Sequence, residues 1–343
     1  EVLNKLGAIS SYTYYIKEIT ITDIEKVVEI FNLVNKTGTT LNESDLALAI
    51  ITSNWPQVKD KYRVAIEEYK KYNYNFSFNF FTRCINILTT GRGKFTSEIA
   101  EVTEEDFEIA WTKLNKILPH LINILRDNAY IDSSDNYNSL YVLYVLVYYL
   151  SKNDLNFESV EEANKAIYWL FTSLLWGRFS GSSESFLEKD INVIKETNSI
   201  DGLIDEMHLY RGSSLSLRPD DFALQGIRSR VYNLFYCAIR AQNAKDWTNP
   251  AISLYSKNIG YNNKLQMHHI FPKAILNELD INPNLALNCA IITSSTNKSL
   301  GAKAPLNYIK ERYNVFDEET INTRLQSHLI PTTRLTEIEE YKD

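Results

Sequence analysis

The chain predicts a mainly α protein with a small α+β part: a helical middle followed by a C-terminal module of two short strands and a helix. Three observations carry this expectation. Helix-period apolar stripes with capping signals recur from about Trp55 to Arg240. Between residues 264 and 308 the pattern changes: two short runs, 264–267 and 285–292, read as strands, with the polar His and Asn groups at their edges. The 343 residues are 44% hydrophobic and 23% charged, which gives a globular chain of this length ample core material. These signals divide the chain into residues 1–95, 96–245 and 246–343.

Taken in order, residues 10–22 (SSYTYYIKEITIT) read as a strand. Thr22 and Glu25 form a capping box for a helix through about Asn35, striped by Ile24, Val27, Val28, Phe31 and Val34. A second helix starts near Asn42 or Ser44 and runs to about Thr52. Thr103 with Glu104, Glu105 and Asp106 opens a helix whose core stripe is Phe107, Ala110, Trp111, Leu114, Ile117 and Leu118. The apolar run 140–150 (LYVLYVLVYYL) is too short to cross a membrane and reads as a buried helix. Ser159 and Glu162 make another capping box, and residues 220–240 predict a further helix. Aromatic side chains, 22 Tyr among them, can stack bases, but at helical spacing they belong in a core. Arg178, Arg211, Arg218, Arg228 and Arg230 accompany the Gly/Ser-rich stretches 177–185 and 211–221. They are candidates for a phosphate-contacting groove, with solvated helix faces as the alternative. His120, His208 and His328 are isolated and read as structural.

A net charge of −7 excludes a protein that coats nucleic acid over its whole surface. Residues 250–314 carry seven Lys or Arg against three acids, a local +4, so the remainder carries −7 − 4 = −11. Lys264, Lys273, Lys298 and Lys303 are the nucleic-acid-binding candidates in this stretch. Cys84, Cys237 and Cys289 form neither a metal knuckle nor an even disulfide set, so a cytoplasmic location with no membrane partner is expected.

The chemistry concentrates in QMHHIFPKAILNELDINPNLALNCAIITSSTNKSLGAKAPLNY, residues 266–308. His268 and His269 are adjacent on an extended segment, so they point to opposite sides and can do different jobs. One imidazole can bind a metal; the other, with an ordinary pKa near ~6.5, can take a proton from water. Ser294, Ser295 and Thr296 offer N-cap oxygens for a helix carrying Asn297 and stopping at Gly301, and Pro305 opens one more. Asn297 would present a carbonyl oxygen, a ligand that suits Mg²⁺ or Mn²⁺ better than a closed Zn²⁺ site. Asn288 can hydrogen-bond backbone across the loop and fix the His269 ring. Taken singly, a His pair, a strand-edge Asn and a helix Asn are ordinary structural residues. Their combination within one strand–loop–strand–helix unit is what points to a site.

This stretch resembles the HNH, or ββα-metal, nucleases. His269 matches the first H, Asn288 lies 19 residues later at the N, and Asn297, 9 further on, replaces the last H. The resemblance implies that His269 is the general base, that His268 and Asn297 hold one Mg²⁺ or Mn²⁺, and that the reaction is metal-assisted phosphodiester hydrolysis. Phosphate binding by His268 remains an alternative to metal binding.

Residues 28–49 (VEIFNLVNKTGTTLNESDLALA) resemble a signature of prokaryotic proteins with a ParB/sulfiredoxin-like N-terminal domain, on Ile30, Phe31, Asn35, Gly38, Leu41 and Asp45. That group includes the GmrSD-type restriction endonucleases, in which a C-terminal HNH domain follows. The group's upstream Asp-Gly-Gln-Gln-Arg motif does not occur in the chain. The expectation is therefore a C-terminal fragment, or a split form, of a longer defence protein whose nucleotide-associated domain is a missing partner. The resemblances together imply a metal-dependent DNA endonuclease or nickase of restriction or anti-phage type. The alternative is a non-cleaving nucleic-acid recognition or assembly module.

Overall fold

The computed structural model describes residues 42–212, 214–255 and 260–331, together with the single residues 13, 20, 26 and 30. Apart from residues 13, 20, 26 and 30, the strand expected over 10–22 and the helix expected from Thr22 to Asn35 lie outside the described residues. So does most of the 28–49 signature; Asp45 lies inside them. Thirteen α-helices and one two-stranded sheet make up the described fold, which is mainly α.

The helical body comprises α1 (Glu43–Asn54), α2 (Val58–Lys70), α3 (Phe78–Thr90), α4 (Glu104–Asp127), α5 (Tyr141–Lys152), α6 (Val160–Trp176), α7 (Ser183–Thr197), α8 (Ile200–Arg211) and α9 (Arg230–Ala241). Its helix starts follow local chemistry. Asn42 accepts from the Asp45 N–H at 2.9 Å and Asp45 accepts from the Asn42 N–H at 3.3 Å, a complete capping box that accounts for Asp45 structurally. Thr103 and Asp106 do the same for α4. At α6 the box is only half formed: Ser159 caps the Glu162 N–H, but the Glu162 carboxylate accepts from the Glu158 N–H and the Tyr149 hydroxyl. Gly91, Gly177 and Gly212 end α3, α6 and α8 in the left-handed conformation that other residues resist.

One apolar core runs from Ala47 to Cys237, continuous across the expected boundary at residue 95. Every residue of α5 from Val142 to Ser151 is buried, as expected for a central helix, and the predicted α4 stripe is buried throughout. The aromatic side chains pack inward: Trp55 stacks on Phe107 with centroids 5.8 Å apart, and Tyr62 and Phe81 both pack against Trp111.

Two expectations for this region need correction. The helix expected over 220–240 begins only at Arg230. Residues Pro219–Asp221 form a single 3₁₀ turn, Leu224 has a left-handed φ of 60°, and Gly226 pairs as an isolated bridge with Leu285, so the helical ladder cannot start earlier. Arg178 does not line a groove. It is fully buried and holds Asp190 through both Nε, at 2.8 Å, and Nη2. Arg211 lies over the Trp176 ring, 4.0 Å from its centroid, and Arg218 reaches Asp221 at 3.7 Å.

The C-terminal module contains β1 (Leu265–His269), α10 (Lys273–Glu278), β2 (Cys289–Thr293), α11 (Ser294–Leu300), α12 (Pro305–Tyr313) and α13 (Glu318–Ser327). It has its own core, from Trp247 to Ile330. Among the described residues no helix is long and apolar enough to cross a membrane.

Removing Asp190 strips the buried Arg178 of its bidentate partner and leaves it the more distant Glu206 carboxylate, 3.8 Å from Nη2. Asp190→Ala should therefore lower the unfolding free energy by about 3–5 kcal/mol, measured by urea denaturation.

Candidate active site

The site grows from the β1–β2 hairpin. The strands pair antiparallel with Leu265 opposite Thr293, Met267 opposite Ile291 and His269 opposite Cys289. The second strand is shorter than the expected 285–292. Residues Ala286–Asn288 form a 3₁₀ turn, and pairing begins at Cys289. Asn288 ties off this end of the hairpin. Its carbonyl accepts from the Ile270 N–H at 2.8 Å, and its buried carboxamide accepts from the Phe271 N–H at 2.8 Å and donates to the carbonyls of Phe271 (3.1 Å) and Pro283 (2.9 Å).

The start of α11 is shifted by one residue from the expected caps. Thr293 is the N-cap, its hydroxyl accepting from the Thr296 N–H at 3.2 Å. Gly301 and Pro305 end α11 and open α12 as expected. Asp246, which the sequence reading did not single out, anchors this junction. Fully buried, it accepts from the Thr293 N–H at 2.8 Å, from the Thr248 and Asn249 N–H groups at 3.2 Å, and from the Thr296 hydroxyl. Burial pushes its carboxyl up, but the hydrogen bonds from Thr296, Thr293 and Thr248 outweigh burial and hold it below the usual carboxylate range.

Strand alternation puts the two candidate histidines on opposite faces. Gln266, His268, Ala290 and Ile292 face the module core and α11. Leu265 and Ile291, on the other face, pack on the helical body, and His269 shares that face. His268 is 3% exposed, with its ring edge-on to Trp247 and Tyr308. Its Nδ1 lies 2.9 Å from Asn297 Oδ1, and Asn297 Nδ2 donates to Gln266 Oε1 at 3.0 Å. Burial lowers the His268 pKa, against the opposing hydrogen bond that the ring donates to Asn297, and so favours the neutral imidazole.

That pair fits a hard divalent ion. Two donors at right angles on an ion with bonds of about 2.1 Å lie roughly 3.0 Å apart. In the hydrogen bond to Asn297 Oδ1 the Nδ1 atom carries the ring proton, so ligation through Nδ1 would require the other neutral tautomer, with the proton on the buried Nε2. The protein contribution is thin, since among the described residues no group of three His, Cys, Asp or Glu side chains converges. Two protein ligands suit Mg²⁺ or Mn²⁺, which retain water and substrate oxygens, and do not suit structural Zn²⁺.

His269 is half-buried, with Nε2 3.0 Å from the Oδ1 of Asn284. Asn284 is a residue that sequence reasoning missed, because a loop Asn beside a His carries no periodic or spacing signal. Asn288 makes the expected bonds to backbone across the loop, but the partner of the ring is Asn284. Of the four lysines, Lys264 and Lys273 are exposed, Lys298 lies 4.1 Å from the Tyr261 ring centroid, and Lys303 pairs with Glu311 at 2.6 Å.

No family model matches the chain. It is 24% identical over 319 residues to an uncharacterized protein of Methanocaldococcus jannaschii. The match covers 84% of this chain and 50% of that protein, so the chain spans about half the length of the curated relative it matches.

The Asp246 contacts predict a stability effect with a defined pH dependence. Asp246→Ala leaves backbone and hydroxyl donors unpaired and should cost about 1–3 kcal/mol. Because the folded carboxyl is depressed, its contribution is present above the unfolded value of about 3.9 and is lost as the pH falls through the folded one. The gap between the urea midpoints of wild type and variant should therefore narrow as the pH falls from 7 toward 3.

Proposed function

We propose that the hairpin–helix module is an HNH-type phosphodiester hydrolase site that uses one Mg²⁺ or Mn²⁺ and cuts or nicks DNA. The observation that carries the reading is the approach of His268 Nδ1 and Asn297 Oδ1 to 2.9 Å across the strand–helix junction, with His269 beside them at the end of β1. The resemblance of the His268, His269, Asn288 and Asn297 set to that family, stated from the sequence, supports it. The ion, when bound, stabilises charge on the phosphate and on the leaving 3′ oxygen. His269 takes the proton from the attacking water, and Asn288 holds the backbone at Phe271 so that the ring keeps its place. His268 and Asn297 hold the ion. Exposed Lys264 and Lys273 contact backbone phosphates and contribute no sequence readout.

The setting that supports this reading best is a cytoplasmic restriction or anti-phage endonuclease of the GmrSD type, acting on modified or phage DNA. A nucleotide-associated N-terminal domain would be its partner, and the half-length match to a longer relative is compatible with that. One observation favours a second reading, in which the module binds nucleic acid without cutting: His268 is nearly fully buried, and its ligand set has only one other member.

Plasmid cleavage in Mg²⁺, Mn²⁺ or EDTA separates the two. Wild-type protein should cut with either ion and not in EDTA. His269→Ala should lose at least about 100-fold in rate while still binding DNA, as expected when a general base is removed. His268→Ala and Asn297→Ala should raise the metal concentration needed for half-maximal cutting. Full cleavage by His269→Ala contradicts the assignment, and metal-independent binding without cleavage supports the second reading.

A further inference from the structure

The geometry points to Asn284 as the positioning residue for His269: its carboxamide oxygen fixes the ring proton on Nε2 and leaves the Nδ1 lone pair for water. The inference rests on the reading of His269 as the base.

A carboxamide oxygen can only accept, so an imidazole nitrogen 3.0 Å from Asn284 Oδ1 must donate. A neutral imidazole carries one N–H, and with that proton on Nε2 the acceptor is Nδ1. The opposite amide orientation would aim an N–H at Nε2, force the proton onto Nδ1 and remove the base. The two orientations therefore predict opposite tautomers.

Asn284 is placed well for this role because its backbone is tied on both sides. Its N–H donates to Asn282 Oδ1 at 3.0 Å, and its carbonyl accepts from the Ile227 N–H at 3.0 Å. The Ala286 N–H donates to the Gln225 carbonyl at 2.6 Å, and Leu285 bridges Gly226. The segment just before α9 thus clamps the loop that carries Asn284. The body orients the base through backbone hydrogen bonds, while the ion ligands sit on the other face of the hairpin. A side chain that locks a histidine tautomer acts through that histidine and need not touch substrate.

The test uses protein with ¹⁵N-labelled imidazoles. The chain has five histidines, and His269 is assigned by the signals lost in His269→Gln. Metal-free wild type should show His269 with Nε2 protonated and Nδ1 bare. In Asn284→Ala the Nε2 proton should lose its protection and exchange faster with water, while the His268 signals stay in place. On plasmid, Asn284→Ala should lower kcat by about 10–100-fold with KM unchanged. Asn284→Asp keeps the accepting oxygen and should restore both the spectrum and most of the rate. A wild-type His269 protonated on Nδ1 overturns the proposal, as does an Asn284→Ala spectrum identical to wild type. The spectrum is read without turnover, so a wild type that never cleaves DNA overturns the nuclease reading alone, and the tautomer still decides the role of Asn284.

Discussion

The register of one two-stranded hairpin decides everything at this site. Side chains alternate along a strand, so a slip of one residue between β1 and β2 would turn His268 away from α11 and send His269 into the module core. A two-stranded ribbon is marginal alone, and here its register is fixed from outside. Leu265 and Ile291 pack against the helical body on one face, and Ala290 and Ile292 enter the module core on the other. Asn288 closes the end of the hairpin with three hydrogen bonds from a buried amide.

The hairpin is thus a partition between two cores that make different demands. The module core surrounds His268 with Trp247 and Tyr308, which keeps the ring neutral and aims Nδ1 at Asn297. The face toward the helical body is polar at its loop end, where Asn284 meets His269 and the 225–227 segment binds the same loop. Adjacent residues of a single strand thus meet different surroundings: His268 is dry and fixed, and His269 is half-buried. Asp246 joins the halves by holding the start of α11 from the segment that leaves α9.

What the sequence made legible was local. The helix starts near Thr103 and Asn42, the buried run 140–150, the strand around Met267 and the helix that ends at Gly301 all follow from chemistry within a few residues. That His268 and Asn297 come together was legible too, because they lie on elements whose starts have sequence signals. The parts that escaped depend on partners far along the chain. Asp246 meets Thr293, Asn284 meets Ile227, and the start of α9 is delayed by the bridge from Gly226 to Leu285. Arg178 in a Gly/Ser-rich stretch resembled a phosphate ligand by composition, yet its burial against Asp190 makes it part of the body.

The most direct test of the account is diffraction from crystals grown with Mn²⁺, with anomalous data collected at the manganese edge. The account predicts a peak bonded at roughly 2.0–2.3 Å to both His268 Nδ1 and Asn297 Oδ1, with water completing the shell and the peak lost in Asn297→Ala. Manganese bound elsewhere on the molecule, or no peak between these two residues at saturating metal, would contradict it.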